Sequence, residues 1–353
     1  MSALATLHAL LSSVPWIKEF RVVEETDARF TVHCLTDGNC SVDDLRALLN
    51  EGAPSLAARV EARIVSELLP TAVGAAPARE GGIPAIRFAA DLPGLSELPR
   101  TLPAALRRAA QNGQADTIVH LAPDGGDKHQ SLADLLAEAE AVCGGLLRSG
   151  LKAGDSAILL LEGSTEVLPA FWGCLLAGIR PAIAPIPPTF IGQNRGLEQL
   201  CHVWRLLDGP FVITNAELIE SVRTLSARLE VETVPCAEIA SLMSSPPATE
   251  VWSGQPDETA FFSLTSGSTG VPKCIMLTHA NIIQRAHGAN VLCGHSAQDV
   301  ILNWLPFDHI GSISDWHLRC VLLGCRMVYA GKGSVITRPL NWLDLIDKYR
   351  LLP

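Results

Sequence analysis

The segment AFFSLTSGSTGVPKCIMLTH, residues 260–279, carries the strongest signal in the sequence. Two apolar runs, 261–264 and 274–277, predict strands, and the loop that joins them is dense in glycine and hydroxyl side chains. Glycine permits backbone conformations that turn several N–H groups to one side, and hydroxyl groups add further donors. Such donors, closed by the positive charge of Lys273, suit a polyphosphate. The segment therefore predicts a phosphate-binding loop, with a flexible Ser/Gly hairpin as the alternative.

The spacing of this loop separates it from the common P-loop. Its predicted phosphate ligands are Thr265, Ser266, Gly267, Ser268, Thr269, Gly270 and Lys273. A P-loop needs four residues between its glycines and a Lys-Ser/Thr pair directly after the second glycine. Here only two residues separate Gly267 from Gly270, and Lys273 follows three positions later. The order indicates a different phosphate-binding motif that lies between two strands.

A second candidate site is the run NWLPFDHIGSI at 303–313. It places His309 three positions after a proline and two before a glycine. An imidazole beside a carboxylate and a phosphate can orient the nucleophile and stabilise charge that develops on phosphorus. The alternative is a histidine that only caps a helix at Ser312. The phosphate loop upstream favours the functional interpretation.

The run TSGSTGVPK at 265–273 resembles the signature phosphate loop of the adenylate-forming superfamily, which includes acyl-CoA synthetases, fatty acyl-AMP ligases and the adenylation domains of non-ribosomal peptide synthetases. Cys274 stands where that family usually has glycine. The residues THAN at 278–281 match the family's helix entry, with Thr278 as N-cap.

Two weaker matches occur in the family's order. HQSLADL at 129–135 resembles its early strand-to-helix step, and GCLLAGIRP at 173–181 resembles its helix-to-strand step. Together they extend the resemblance over about residues 101–353.

The resemblance implies ATP as cofactor, with Mg²⁺ bridging its phosphates. Lys273 and residues 265–270 would hold the β- and γ-phosphates, and His309 would organise the carboxylate, so Lys273 and His309 are the candidate catalytic residues. The implied substrate contacts are Trp304, Phe307, Asp308, His309, Ile310 and Gly311. No metal ligand is assigned, because the family's Mg-binding acid belongs to a later motif that this sequence lacks.

Two alignments of the second motif imply different substrates. In amino-acid-activating domains the corresponding sequence resembles Phe-Asp-x-Ser, and its Asp binds the α-ammonium group of the substrate. The resemblance would give this role to Asp308. Alignment on His309 instead places apolar Ile310 at that position. We favour the second alignment, since it fits more residues and resembles fatty acyl-AMP ligases and starter-unit ligases. It predicts a carboxylic acid without an α-amino group.

The remaining sequence predicts an α/β fold of mostly parallel sheets flanked by helices, because strands apolar on both faces alternate with helices. Strands are predicted at 155–161, 181–184, 211–214, 231–235 and 326–330. Helices are predicted at 131–148, 165–177, 197–207, 216–229, 314–323 and 342–349.

The predicted domains are a small α+β unit at 1–71, a linker at 72–100 rich in Ala, Gly and Pro, and the N-terminal part of an AMP-binding core at 101–353. In the first unit we predict strands at 20–23 and 30–35, a helix after Ser41 and a helix over 56–69. The unit vaguely resembles the superfamily's small C-terminal domain. A duplicated copy, a docking module and a packing cap remain open.

Composition excludes several classes of function. The chain has 353 residues, 27 Lys and Arg, 37 Asp and Glu, and a net charge of −10. It lacks the basic field that nucleic acid requires, so no nucleic-acid partner is expected. The most apolar segment, 167–179, is too short to span a bilayer, and no basic run precedes the apolar N-terminal residues, so we expect no membrane contact and a cytoplasmic location. Ten cysteines without a C-x-x-C pair predict reduced thiols.

The combined prediction is an enzyme that converts a carboxylic acid and ATP to acyl-AMP and loads the acyl group onto a carrier-protein phosphopantetheine thiol in a polyketide or non-ribosomal peptide assembly line. CoA is the alternative acceptor. An inactive adenylation-like docking module is the alternative from another class. Later motifs of the family are missing, so we expect a truncated core that is inactive without the remaining domains of a larger synthetase.

Overall fold

The computed structural model describes residues 3–24, 29–36, 41–65, 93–112, 116–122, 126–249, 251–265 and 272–351. The chain divides into two compact units, Met1–Ala89 and Ala90–Pro353. Most of the predicted linker at 72–100 lies outside the described residues. None of the described helices is both long and apolar enough to cross a membrane.

The first unit is a three-stranded sheet packed with helices. Its elements are α1 (Ala3–Ser12), β1 (Ile17–Glu24), β2 (Phe30–Thr36), α2 (Val42–Gly52), α3 (Pro54–Ala57) and β3 (Val60–Val65). Strand β2 lies in the middle, antiparallel to β1 and parallel to β3. Leu7 and Leu11 of α1 are fully buried against Val32 of β2 and Leu45 of α2, which form the core of this unit.

Two features of this unit differ from the sequence analysis. The helix predicted over 56–69 is wrong, because α3 ends at Ala57 and β3 follows. The sequence alternates apolar and polar residues from Val60 onward, which is strand periodicity, and Val60 pairs with Phe30 of β2. Helix α1 was not predicted.

The second unit contains eleven labelled α-helices and ten strands within its described residues. The helices are α4 (Leu102–Gln111), α5 (Leu132–Arg148), α6 (Ser164–Leu176), α7 (Arg195–Leu206), α8 (Ile219–Arg223), α9 (Ser226–Leu229), α10 (Ile239–Met243), α11 (His279–Cys293), α12 (Arg319–Leu323), α13 (Lys332–Ile336) and α14 (Asn341–Tyr349). The strands are β4 (Ile118–Leu121), β5 (Asp127–Gln130), β6 (Ser156–Leu160), β7 (Arg180–Ile183), β8 (Phe211–Thr214), β9 (Cys236–Glu238), β10 (Thr259–Thr265), β11 (Lys273–Thr278), β12 (Val300–Asn303) and β13 (Arg326–Tyr329).

The described strands of the second unit form two sheets. The larger has the order β11-β10-β7-β6-β8-β9, in which only the β10–β11 pair is antiparallel. The smaller has the order β12-β13-β4-β5, in which only β4–β5 is antiparallel. The prediction of an α/β fold with mostly parallel sheets is therefore confirmed.

Both faces of the larger sheet are covered by helices. Along β6, Ala157 and Leu159 belong to the core formed with α5 and α6, whereas Ile158 and Leu160 belong to the core formed with α7 to α9. This alternation follows the two-residue period of a strand. It explains why the strand sequence is apolar throughout.

The step from α6 into β7 depends on Gly178, which ends the GCLLAG run. Its φ is +71°, and a Cβ at this position would lie 2.6 Å from the Trp252 ring. A residue other than glycine would therefore meet both an unfavourable backbone conformation and a steric clash.

Three predicted elements of the second unit differ from the structure by more than a shift of one or two residues at their ends. The helix predicted at 216–229 is divided into α8 and α9, where the Thr224 hydroxyl donates back to the Ser221 carbonyl at 2.7 Å. The strand predicted at 231–235 begins instead at Cys236, after a proline that has no N–H for a sheet ladder. The helix predicted at 314–323 is a π-helical segment, Ser312–Leu318, followed by α12. Apolar periodicity over so few residues does not separate π from α geometry.

Candidate active site

The predicted phosphate loop connects β10 to β11. These strands pair with Thr265 opposite Lys273, and the Lys273 N–H donates to Thr265 Oγ1 at 3.4 Å. The chain between them, 266–271, lies outside the described residues, as do the predicted contacts of Ser266, Gly267, Ser268, Thr269 and Gly270. The two described ends establish an antiparallel hairpin, with a threonine hydroxyl at one end of the loop and a lysine at the other.

The Lys273 side chain is exposed, and it forms no ion pair with any residue that the structure describes. A solvated ammonium at a loop end is able to bind an incoming anion, since no carboxylate of the described residues neutralises it beforehand. A hydroxyl, a lysine and a loop rich in glycine N–H groups are a donor set that fits a polyphosphate.

The turn after β12 presents His309 to solvent. The His309 N–H donates to the Pro306 carbonyl at 3.0 Å, and the Ser312 N–H donates to the His309 carbonyl at 2.9 Å. Within the ring, Nδ1 accepts the Gly311 N–H at 3.1 Å. A neutral imidazole has one donor nitrogen and one acceptor nitrogen, so this contact leaves the proton on Nε2. The turn therefore makes His309 Nε2–H available as a hydrogen-bond donor.

One cavity joins the hairpin and the His309 turn. It has a volume of about 560 Å³ and is lined by Thr265 and Pro272 of the hairpin ends and by Pro306, Asp308, His309 and Ile310 of the turn. Its other walls are mostly apolar and come from the larger sheet and α7: Ala184, Pro185, Gln199, Leu200, Val203, Ser263, Leu264, Ile275 and Leu277. Two motifs about forty residues apart in sequence thus meet at one concave surface.

Three predicted substrate contacts do not line this cavity. Phe307 is only 9% exposed, and its ring stacks on Tyr329 with 5.7 Å between ring centroids, so it lines a neighbouring cavity beside Tyr329 instead. Trp304 is half-buried and Gly311 is buried, and neither contributes to the cavity wall. Gly311 instead supports the His309 ring through its N–H. The structure brings Asp308, His309 and Ile310 together and leaves the other three outside.

The cavity walls contributed by β7 and α7 were not predicted from the sequence. Ala184 and Pro185 follow the carboxyl end of β7, where ligands of open α/β sheets bind, so the strand prediction contained that signal. Leu200 and Val203 of α7 had no comparable signal, because their spacing is that of any helix facing a core.

A buried histidine network lies behind the turn. His317 of the π-helical segment is fully buried, and its Nε2 accepts the Trp172 Nε1–H at 2.7 Å. Its Nδ1 then carries the proton and donates to the Tyr329 hydroxyl at 2.5 Å. Burial lowers the pKa of His317 to about 3 and raises the pKa of Tyr329 well above its usual value. Both groups are neutral, and they fix the π-helical segment to α6 and β13.

His120 of β4 belongs to the same region. Its ring stacks on Tyr329 at 5.8 Å, and its nitrogens contact Ser164 Oγ at 2.7 Å and Gln130 Oε1 at 2.9 Å. Burial lowers the pKa of His120, which the hydrogen bond to Gln130 partly opposes. His279, the first residue of α11, is also buried, and burial lowers its pKa to about 4. His317, His120 and His279 are buried and have structural roles, whereas His309 is exposed at the cavity.

The described residues include no group of three or more His, Cys, Asp or Glu side chains arranged to hold a metal ion. Mg²⁺ therefore stays a prediction from the resemblance, as a partner of the phosphates.

The chain matches known proteins over most of its length. A sequence model of the AMP-binding enzyme family matches residues 106–351. An atromentin synthetase from Tapinella panuoides is 28% identical over 289 residues, which are 80% of this chain and 29% of that protein. The chain thus spans less than a third of that relative.

Two solved structures share its fold. One is a multidomain structure with adenylation, ketoreductase and pseudo Asub parts from a keto acid-selecting NRPS module; it is 32% identical, has a TM-score of 0.71 and matches 81% of this chain and 24% of that one. The other is McyG A-PCP complexed with phenylalanyl-adenylate; it is 30% identical, has a TM-score of 0.68 and matches 76% of this chain and 41% of that one. With the family match, the hairpin and the cavity, these likenesses establish that the chain belongs to the AMP-binding family of adenylate-forming enzymes.

Proposed function

We propose that the protein containing this chain uses ATP to activate a carboxylic acid without an α-amino group, specifically a 2-oxo acid, and transfers the acyl group to a carrier-protein thiol. The observation that carries the proposal is the single cavity lined by both Thr265 and His309. A reaction between an acid and a nucleotide phosphate needs both reactants in contact, and the proposal is supported by residues of both predicted binding elements that line this cavity.

The proposed first step forms acyl-AMP. An oxygen of the substrate carboxylate attacks the α-phosphorus of ATP, the bond from that phosphorus to the bridging oxygen of the β-phosphate breaks, and pyrophosphate leaves. Lys273, Thr265 and the loop N–H groups would hold the β- and γ-phosphates as negative charge builds up on them. His309 Nε2–H would donate to the carboxylate or the α-phosphate and align the attack.

The proposed second step transfers the acyl group. The thiolate of a phosphopantetheine arm attacks the acyl carbon, the bond from that carbon to the AMP oxygen breaks, and AMP leaves. A carrier protein is the proposed acceptor because the related solved structures include NRPS modules. CoA, which ends in the same thiol, would react by the same chemistry.

The substrate class rests on the cavity wall and on the relatives. Leu200, Val203, Ile275 and Leu277 make the wall apolar, which suits an uncharged acyl group. Both Asp308 and Ile310 line the cavity, so both alignments of the motif place a side chain there. One structural relative, which matches 81% of this chain, belongs to a keto acid-selecting NRPS module, and this favours the alignment on His309.

Acid-dependent ATP–pyrophosphate exchange by the intact protein tests the proposal. Phenylpyruvate and phenylalanine are a matched pair that differs at the α-carbon, and we expect at least ~10-fold faster exchange with the 2-oxo acid. Asp308→Asn should change that rate by no more than ~3-fold, since a 2-oxo acid has no ammonium for Asp308 to bind.

Faster exchange with phenylalanine, together with its loss in Asp308→Asn, would show the amino-acid alignment to be the correct one. Exchange with no acid of either class would favour an adenylation-like docking module without activity.

We also propose that residues 1–71 are a module separate from the catalytic core at 101–353, with 72–100 as their connection. A sheet core of its own and the division of the chain into two compact units between residues 89 and 90 support this. The NRPS relative likewise contains a pseudo Asub part in addition to its adenylation part. A cytoplasmic location without nucleic-acid or membrane partners stays part of the proposal.

A further inference from the structure

We infer that Asn303, the last residue of β12, is a positioning residue that holds the His309 turn in the conformation that presents Nε2–H to the cavity. This inference rests on the proposed function of His309. The reason is that Asn303 and Ser312 close the turn at its two ends, inside the protein.

The Asn303 side-chain amide forms its hydrogen bonds with residues of the turn itself. Its Nδ2 donates to the Ser312 carbonyl at 3.1 Å and to Ser312 Oγ at 3.0 Å. Its Oδ1 accepts the Leu305 N–H at 3.3 Å and lies 3.3 Å from Ser312 Oγ. Ser312 Oγ also lies 3.2 Å from the Leu305 carbonyl, so its single proton has two acceptors within the turn. One side chain therefore contacts both the first and the last part of the loop.

This pair is buried, whereas the residues that it holds are exposed. Asn303 is 3% exposed and Ser312 is fully buried, but His309 and Ile310 are exposed at the cavity. A buried amide is costly unless it is hydrogen-bonded, and here the partners are all supplied by the turn. Apolar packing could bury this position equally well, but it would not fix which residues of the turn face each other.

The position of Ser312 is transmitted to the imidazole through short links. Ser312 N–H binds the His309 carbonyl, and the neighbouring Gly311 N–H binds His309 Nδ1. A shift of Ser312 thus moves both the backbone and the ring of His309. The space is tight as well, because a Cβ on Gly311 would lie 3.1 Å from Nδ1.

Asn303 has no hydrogen bond with the described part of the hairpin, which includes Thr265 and Lys273. Its removal should therefore disturb binding of the acid and leave binding of ATP unchanged. Removal of a residue that only stabilised the fold would lower the amount of active protein without affecting the binding of one substrate more than that of the other.

The test compares Asn303→Ala with Asn290→Ala in the intact protein. Asn290 is 6% exposed, lies on α11 and has a buried Oδ1 without a partner among the described residues, so it controls for the loss of a buried amide outside the turn. Asn303→Asp is a second variant, which keeps the shape but removes both donors.

Hydrogen–deuterium exchange of the peptide covering 304–312 is the first measurement and does not require activity. We expect both Asn303 variants to speed amide exchange there by at least ~10-fold, and Asn290→Ala to leave it unchanged. Unchanged hydrogen–deuterium exchange of this peptide in the Asn303 variants would overturn the inference. If the unmodified protein has no ATP–pyrophosphate exchange, the proposed function fails, and this measurement still decides whether Asn303 holds the turn.

The second measurement is a double-mutant cycle in the ATP–pyrophosphate exchange assay. We expect Asn303→Ala to raise the KM for the acid or lower kcat by ~10-fold with the KM for ATP unchanged. Added to His309→Ala, it should cause less than ~2-fold further loss, because it acts through that residue. Full additivity of the two losses, or a raised KM for ATP, would overturn the inference.

Discussion

The β10–β11 hairpin and the His309 turn face the same cavity, but their architectures differ. Thr265 and Lys273 are eight residues apart, and the pairing of two consecutive strands places them opposite each other. His309 depends on Asn303 and Ser312, and the segment behind it depends on Trp172, which is 145 residues from His317. The hairpin is local in sequence and exposed. The turn is supported by a buried network assembled from distant parts of the chain.

This difference predicts that changes to the hairpin affect activity without affecting stability, whereas changes behind the turn affect stability first. Exposed residues such as Lys273 make few packing contacts, so truncation costs the fold little. Buried hydrogen-bonded residues such as Trp172 leave a cavity and an unpaired partner when they are truncated.

The largest effect is expected for Lys273→Ala. Acid-dependent ATP–pyrophosphate exchange by the intact protein should fall by ~10²-fold or more, since a positive charge on the phosphates is lost. The urea midpoint of unfolding should not move. Lys152→Ala removes another exposed lysine, in the turn before β6, and should leave exchange unaltered. An unchanged ATP–pyrophosphate exchange rate in Lys273→Ala would show that Lys273 does not bind the phosphates.

Trp172→Phe should lower the free energy of unfolding by ~2–4 kcal/mol, because it leaves a cavity and an unpaired His317 Nε2 in the core. Trp204→Phe is the matched control, since the Trp204 Nε1 has no partner among the described residues. Urea denaturation of both variants measures the difference. Equal losses would mean that the hydrogen bond to His317 contributes nothing.

Acid should destabilise the protein through two buried histidines, His317 behind the turn and His279 at the start of α11. The folded-state pKa is lowered to about 3 for His317 and to about 4 for His279, whereas both histidines in the unfolded chain titrate near their ordinary value. Their contribution to stability is complete above that ordinary pKa and is lost as the pH falls toward the folded pKa values, because the unfolded chain then binds more protons. Within this window, each histidine should lower the free energy of unfolding by ~1.4 kcal/mol for each pH unit of acidification.

Urea denaturation at a series of pH values between 7 and about 4 measures this slope, and His317→Gln should reduce it. A slope that stays the same in that variant would assign the acid sensitivity to other groups.

The smallest effect is expected where the two regions are joined at the surface. Arg285 of α11, the helix after the hairpin, pairs with Asp315 of the π-helical segment, and both side chains are at least one-third exposed. Solvent screens such pairs, so Arg285→Ala should change the free energy of unfolding by less than ~1 kcal/mol. A larger loss would show that this pair couples the hairpin side to the turn.

The same contrast explains what the sequence could predict. The strands of the hairpin were predicted at 261–264 and 274–277 and observed as Thr259–Thr265 and Lys273–Thr278, because local apolar runs specify them. The α6 helix was displaced by only one residue at each end from its prediction at 165–177.

For the His309 turn, the sequence indicated which residues are present but not how they pack. His309, Asp308 and Ile310 were predicted as substrate contacts and line the cavity, whereas Trp304 and Phe307 were predicted there and do not line it. The packing of Phe307 against Tyr329 is a tertiary contact that no local pattern contains. The roles of Asn303 and Trp172 depend on partners that the sequence alone does not pair. Residues 60–65 were mistaken for part of a helix for a related reason, since parallel pairing with β2 determines that strand.

The most direct test of the account is the exchange rate of Lys273→Ala and His309→Ala with ATP and the acid varied independently. We predict that Lys273→Ala raises the KM for ATP and that His309→Ala raises the KM for the acid or lowers kcat by ~10²-fold, with His129→Ala, another exposed histidine, unchanged. That result would assign the phosphates to the hairpin and the carboxylate to the turn. Identical changes in both variants, or no change in either, would contradict the assignment.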